Sequence, residues 1–319
     1  MISAETIRRN TGNTIKETSF GALGEKYRGK VRDNYTNKAK QERVIIVTDR
    51  ISAFDVVLGT IPFKGQVLNQ IAAFWFEQTR DVAESHFISS PDPNIMIARL
   101  CKPFPTEVIV RNYITGSLWR DYEKGIDNYG IALPKGMRKD QKLEKPIITP
   151  STKADAGHDL PLTRDAVVKL VPEEKYRKME EIALALFARG TEIAAKRGLI
   201  LVDTKYEFGE TSDGRILVID EIHTPDSSRY WIEESYEKLF REGKEQQMLD
   251  KEFIRQWLIK EKNYMGNGPA PKLDEKVIVD AAMKYIGLYE RVTGKQFEAV
   301  EGSVDERMRK SLIKNGFKV

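Results

Sequence analysis

Residues 199–222 read LILVDTKYEFGETSDGRILVIDEI, an unusual concentration of acid and base for a pair of strands. Two strand-forming runs flank Asp213-Gly214, and Asp-Gly is a strong hairpin signal because a type I′ turn needs positive φ at both central positions. With those two residues as the loop, Glu207 lies directly opposite Asp220, and the two-residue period of a strand places Asp203 and Lys205 on the same face. Like charges opposed across a ladder destabilise it. Lys205 supplies part of the compensation. A divalent cation supplies more, since Mg²⁺ is typically held by one or two carboxylates together with substrate phosphates. A four-residue loop (211–214) moves Asp220 opposite Lys205 on the same face, and a three-residue loop turns Asp220 to the other face. A solvated sheet face also accommodates Asp, Lys and Glu. The pattern favours a cleft: Leu199, Leu201, Asp203, Lys205 and Glu207 share one face, apolar at one end and charged at the other.

Three further segments carry anion chemistry. GEKYRGKV (24–31) nearly matches a Walker A loop, but Val31 stands where Ser or Thr would bind Mg²⁺, and strand-like sequence follows where a helix should. The milder reading is a glycine-bearing hairpin, with Gly29, Lys30 and Arg32 covering nucleotide phosphates or forming a basic surface turn. In VRNYITGSLWRDY (110–122), Arg111 closes a strand and Thr115-Gly116-Ser117 follows. A guanidinium and a hydroxyl beyond a glycine suit a phosphomonoester; a helix start with Ser117 as N-cap is compatible with that. HTPDSSRYW (223–231) reads as a turn leading into a helix, with Asp226 as cap or ligand and Arg229 on its face three residues later.

The elements that must position these groups divide unevenly. RVIIVT (43–48) and EVIVRNYI (107–114) read as strands, VLNQIAAFWFEQT (67–79) as an amphipathic helix, and residues 173–197 as the clearest helix, with Pro172 at its first turn. Residues 123–162 lack periodicity, and long loops of that kind are usually functional. From Tyr230 onward the pattern is helical, interrupted at 263–272, with nothing assignable to chemistry. Strands in the first half and helices in the second predict an α+β fold of two lobes: an N-terminal antiparallel sheet lobe (1–110) and a larger α/β C-terminal lobe (111–319).

The 319 residues are 40% hydrophobic and 31% charged, enough apolar material for a sizeable core. The 52 Lys and Arg against 48 Asp and Glu leave a net charge of +4, too small an excess for a nucleic-acid stripe and well suited to anionic substrates. A single cysteine, Cys101, excludes an internal disulfide and Cys₄ zinc, and His86, His158 and His223 lie far apart. No signal-peptide core and no apolar run long enough for a bilayer are present, so a cytoplasmic chain without membrane or nucleic-acid partners is expected; the oligomeric state is not readable.

Taken in order, YRGKVRDNY (27–35), TDRISAFD (48–55), VRNYITGSLW (110–119), STKADAGHD (151–159), LVDTKYEFG (201–209) and DEIHTPDSSRYW (220–231) resemble the SAICAR synthase family. The ordered set is highly specific where each motif alone is modest. Thr224 before Pro225 and the long C-terminal tail resemble the longer members. The resemblance implies two lobes with ATP in the cleft, reminiscent of kinases and ATP-grasp enzymes. It also implies ATP-driven joining of L-aspartate to the carboxylate of carboxyaminoimidazole ribonucleotide (CAIR), with Mg²⁺, by way of an acyl phosphate. It assigns Glu207, Asp220 and Asp203 to the metal, and Lys30, Arg32, Glu107, Glu207 and Asp220 to ATP. Lys205 would bridge the transferring phosphoryl group and the CAIR carboxylate, with Asp203 close by and Lys153 near the acceptor. Arg111, Ser117 and Arg229 would grip the ribose 5′-phosphate, Asp226 the CAIR head or ribose, and Asp49, Ser52 and Asp55 the aspartate. A small-molecule kinase or a non-catalytic nucleotide- or RNA-binding module are the rival readings.

Overall fold

The computed structural model describes residues 2–54, 56–153, 159–249 and 251–319. A short helix, α1 (Ala4–Arg9), capped by the Ser3 hydroxyl, precedes β1 (Glu25–Arg28), β2 (Arg32–Asn37) and β3 (Glu42–Val47). A two-stranded ribbon follows, β4 (Arg50–Ala53) with β5 (Val56–Thr60), then α2 (Lys64–Gln78), β6 (Phe87–Asp92) and β7 (Ile95–Arg99). The first sheet runs β1-β2-β3-β7-β6, antiparallel throughout. Its central strands are buried on both faces, and strand alternation divides them. Ile45, Val47, Met96 and Ala98 enter the main core, while Val44, Ile46, Ile95 and Ile97 enter a second one with Phe20 and Tyr35. That explains the continuous apolar run of RVIIV.

The second sheet is built from β8 (Lys102–Tyr113), β9 (Lys142–Ile148), β10 (Ser151–Thr152), β11 (Leu199–Glu210), β12 (Ile216–Ile219) and β13 (Ser228–Ile232). Its path is β10-β8-β11-β12, with β13 also on β11 and β9 on β8. The helices are α3 (Gly116–Glu123), α4 (Arg164–Val167), α5 (Glu173–Ala195), α6 (Glu233–Arg241), α7 (Glu252–Lys262), α8 (Glu275–Thr293) and α9 (Val304–Lys314). On α5 the buried stripe Tyr176, Met179, Ala183, Leu186, Phe187, Gly190 and Ala194 follows helical spacing and lies on the sheet. At Gly190 a Cβ would stand 2.3 Å from the His223 ring, so a side chain there would displace the imidazole. α9 closes the second core with Met308 and Leu312. No described helix is long and apolar enough to cross a membrane.

The α+β, two-lobe expectation agrees with this architecture, but several details differ. β8 is continuous through residue 110, so the change from one sheet to the other falls between Arg99 and Lys102, earlier than the expected boundary. The stretch 123–162, expected to be without elements, contains β9 and β10. HTPDSSRYW does not start a helix: Ser228–Ile232 is recruited as a strand by the open edge of β11, so Asp226 and Arg229 are not neighbours on a helix face.

Candidate active site

The hairpin register decides where the charges fall. β11 and β12 pair Glu207 with Ile219 and Glu210 with Ile216, leaving five residues, 211–215, in the loop. Thr211 organises it: its carbonyl accepts from Gly214 N and its hydroxyl from Arg215 N, both at 3.0 Å. The Asp-Gly register with Glu207 opposite Asp220 is therefore corrected by one residue. A bulge between Leu201 and Asp203 makes a second correction. Leu199 and Leu201 join Tyr206 and Phe208 in the core, while Asp203, Lys205 and Glu207 carry the other face; bulges re-aim side chains in this way.

Two charged clusters result. Asp203 is paired in register with Arg111 on one side and Arg229 on the other. Its Oδ2 accepts from Arg111 Nη1 at 3.1 Å and from Arg229 Nη1 at 2.7 Å. Arg111 Nε donates to Thr149 Oγ1 at 2.7 Å and Nη2 to Ser117 Oγ at 3.1 Å. Burial pulls Arg111 below the ordinary arginine value and Asp203 opposes that. The N-cap of α3 is Thr115 rather than Ser117, which frees the Ser117 hydroxyl to face Arg111. Gly116 has φ +60, and a Cβ there would lie 2.3 Å from Arg229 Nη1, so both backbone and space call for glycine.

Further along β11, Glu207 sits opposite Glu107. This is the opposed carboxylate pair, and Lys205 bridges it: its Nζ lies 2.7 Å from Glu107 Oε1 and also contacts Glu207 Oε1. Lys153 contacts Glu207 Oε2, and Ser151 donates to Glu107 Oε2 at 3.0 Å. Burial works against ionising Glu207, but Lys205 and Lys153 outweigh it and hold the carboxyl down at about 2. Burial alone would lower Lys205, yet Glu207, Glu107 and Asp220 raise it well above the usual range.

Asp220 reaches the same cluster by a different route. It follows the last residue of β12 with φ +65, a left-handed turn that is costly for a non-glycine residue. Arg32 spans Asp220 (2.9 Å to Oδ1) and Glu221 (2.5 Å to Oε2). Burial, with Glu207 and Glu221 adding to it against Arg32, pushes Asp220 up to about 6. Asp226 is tied to Lys64 at 2.8 Å and to the Tyr285 hydroxyl at 2.6 Å. Glu107, Arg111, Asp203, Lys205, Asp220, Glu221, Asp226 and Arg229 line a cleft with a cavity of about 370 Å³, together with Lys30 and Ser52 from the first lobe, Lys251 just before α7 and Arg255 on it.

Of the expected site residues, Lys30, Arg32, Ser52, Glu107, Arg111, Asp203, Lys205, Asp220, Asp226 and Arg229 line this cleft. Ser117, Lys153 and Glu207 are bonded to its lining through Arg111 and Lys205. Asp49 lies apart: it is buried and accepts from the backbone N–H of Ile15 and of Gly65, each at 2.8 Å, a fastening of the chain. Asp55 and His158 lie outside the described residues. Asp203 stands away from the carboxylates expected beside it at the metal: it lies four residues before Glu207 on β11, and its Oδ2 accepts from the guanidinium groups of Arg111 and Arg229. Among the described residues no three His, Cys, Asp or Glu groups converge as a metal cage. His86 and His223 are both pushed down to about 3 by burial, so they are neutral near pH 7. The sequence reading missed Lys64, Glu221, Lys251, Arg255 and Tyr285. Apart from Glu221, beside Asp220 in the last motif, none falls in a motif, and their partners are distant in the chain.

The SAICAR synthetase family model matches residues 25–271. The chain belongs to the SAICAR synthetase family. The phosphoribosylaminoimidazole-succinocarboxamide synthase of Legionella pneumophila is 45% identical over 92% of this chain and 96% of its own. The SAICAR synthase from Saccharomyces cerevisiae, solved in complex with SAICAR, superposes with a TM-score of 0.78 at 32% identity, covering 89% of this chain and all of that one. A type-2 SAICAR synthetase in complex with ADP gives 0.67 at 26% identity, over 86% of this chain and all of the other. The resemblance carried by the six motifs is thus borne out. The chain is an enzyme of the SAICAR synthetase family, with that family's role in purine biosynthesis.

Proposed function

We propose that this SAICAR synthetase family member joins L-aspartate to the carboxylate of CAIR at the expense of ATP, giving SAICAR, ADP and phosphate through an acyl phosphate. The observation that carries the reading is the pair of clusters on one face of β11. From Asp203 to Glu207 the strand rises roughly 13 Å, at ~3.3 Å per residue, about the span from a ribose 5′-phosphate to the far side of an imidazole carboxylate. Arg111, Ser117 and Arg229 hold the phosphate end, where planar guanidinium groups match its oxygens. Asp226 accepts from the head group or ribose. Lys30, on the turn between β1 and β2, and Arg32, the first residue of β2, hold the phosphates of ATP.

In the first step the CAIR carboxylate oxygen bonds to the γ-phosphorus and the bond to the β,γ-bridging oxygen breaks, releasing ADP. Lys205 touches Glu107 and Glu207 from the middle of the cleft and neutralises charge where both carboxylate and phosphoryl oxygens converge. In the second step the aspartate nitrogen, its ammonium proton given up to solvent, bonds to the acyl carbon, the bond from that carbon to the phosphate oxygen breaks, and the departing phosphate takes the second N–H proton. Lys251 and Arg255, two cations that border the cleft along with Ser52, suit the two carboxylates of aspartate better than Asp49 does. Glu207 and Asp220 repel one another electrostatically, and the pair would hold Mg²⁺ together with substrate phosphates once Lys153 and Lys205 turn from Glu207 toward those phosphates. Bound there, the ion would neutralise the polyphosphate.

The test is ADP release with purified protein, ATP, Mg²⁺, CAIR and L-aspartate, omitting each in turn. The ligase reading expects turnover to need all of them and a succinocarboxamide to appear. ADP formation that ignores aspartate would instead favour a kinase, and binding of ATP without turnover a non-catalytic module.

A further inference from the structure

Asp226 draws its partners from far along the chain. Lys64, in the first turn of α2, is 162 residues away, and Tyr285, on α8, is 59. The Lys64 side chain is fully buried and its ammonium stands 5.4 Å from the centre of the Tyr285 ring. The three groups form a closed triangle, and Asp226 is the corner that borders the cleft. α8 also packs on α2, and Ala281, Ala282 and Leu288 of α8 are buried in the main core. Packing alone would be served by a phenyl ring. Instead a hydroxyl is directed at a carboxylate whose side chain is only 6% exposed. α8 begins at Glu275, beyond residue 271 where the family match ends.

A carboxylate oxygen accepts two hydrogen bonds. Lys64 takes one position on Oδ2 and Tyr285 one on Oδ1, which leaves one on each oxygen for the cleft. The terminal torsion of Asp is soft. Anchoring both oxygens from behind fixes the carboxylate plane, whereas one anchor leaves it free to swing. We infer that Tyr285 is a positioning residue for CAIR: it orients Asp226 toward the substrate and makes the C-terminal segment part of the active site. This rests on Asp226 contacting CAIR, as proposed above.

The experiment is a double-mutant cycle of Tyr285→Phe and Asp226→Asn in the full-length enzyme, reading KM for CAIR and for ATP. Tyr285→Phe should raise KM for CAIR about tenfold, as loss of a hydrogen bond to a charged group implies, and leave KM for ATP within about twofold. In the Asp226→Asn background the same change should add little. A second reading does not depend on turnover: CAIR should raise Tm in wild type and much less in Tyr285→Phe, while the rise produced by ADP persists in both. If Tyr285→Phe shifts both KM values equally, or acts independently of Asp226, the hydroxyl is structural and the inference fails while the Asp226 reading stands. If Asp226→Asn leaves KM for CAIR unchanged, the Asp226 reading fails and takes the inference with it.

Discussion

The two ends of the charged row on β11 solve the same electrostatic problem in opposite ways. At Asp203 one carboxylate is held by two arginines, so the cluster keeps an excess of positive charge whose geometry is set by Thr149, Ser117 and Gly116. At Glu207 two opposed carboxylates share one lysine, with Lys153 and Asp220 at the margin, so the cluster is rich in negative charge and held by flexible ammonium groups. Planar arginines suit a dianion that stays in place throughout the reaction. Lysine is a compact point charge that can follow oxygens as bonds form and break. The fixed end would hold the substrate and the mobile end would do the chemistry.

Replacing Lys205 by Met tests the mobile end and should have the largest effect. It removes the charge that opposes Glu107 and Glu207 and the donor nearest the transferring group. A fall in kcat of about 10³-fold or more is expected, on the scale seen for groups that stabilise a transferring phosphoryl. ADP release under saturating substrates measures it. A loss of less than about tenfold would place the chemistry elsewhere.

Arg111→Ala tests the fixed end. Truncating one partner of a buried, hydrogen-bonded charge pair costs roughly 3 kcal/mol, or about 10² in affinity. The increase should fall on KM for CAIR, with KM for ATP little changed, and Arg111→Lys should not restore it because the fork that spans Asp203 and Ser117 is lost. Equal effects on CAIR and ATP would erase the distinction between the ends.

Arg255→Ala probes the wall of the cleft facing both ends. Arg255 borders the cavity with its guanidinium 5.9 Å from the Phe54 ring centre. An increase in KM for aspartate of about tenfold is expected from loss of one charge-assisted contact, with CAIR and ATP unaffected. If CAIR suffers instead, the α7 cations belong to the CAIR end and aspartate binds elsewhere.

The sequence revealed the elements with strong periodicity and the identities of most charged groups, but not their geometry. β3, α2 and α5 were legible because each carries a long, regular apolar pattern. The register of the hairpin was not, because Thr211 extends the loop beyond the Asp-Gly pair through its own hydrogen bonds, and a one-residue shift reverses every face. β13 was misread because Pro225-Asp226-Ser227 has helix-start chemistry, which a free edge on β11 overrides. Asp220 shows the limit most clearly. Its position beside Glu207 comes from a left-handed backbone turn after the strand, not from the ladder. The Lys64–Asp226–Tyr285 triangle joins three helix and turn segments that no local pattern connects.

Asp49 supplies the control for both ends, a buried carboxylate with no part in the cleft. Its oxygens receive two backbone N–H groups, yet burial dominates and pushes it up to about 6 from an ordinary 3.8. Because the folded value lies above the unfolded one, the native state binds the extra proton between about pH 4 and 6. The contribution of this group to stability therefore grows as pH falls through that window, is lost as pH rises from about 4 to about 6, and is constant above that. Asp49→Asn cannot titrate, and it turns one amide N–H₂ toward a backbone donor, so it should cost about 1–3 kcal/mol. The Tm gap between wild type and Asp49→Asn should widen between pH 7 and pH 4.5, while KM for aspartate, CAIR and ATP stays unchanged. A selective rise in KM for aspartate would return Asp49 to the substrate site and add a third anchoring point to the comparison.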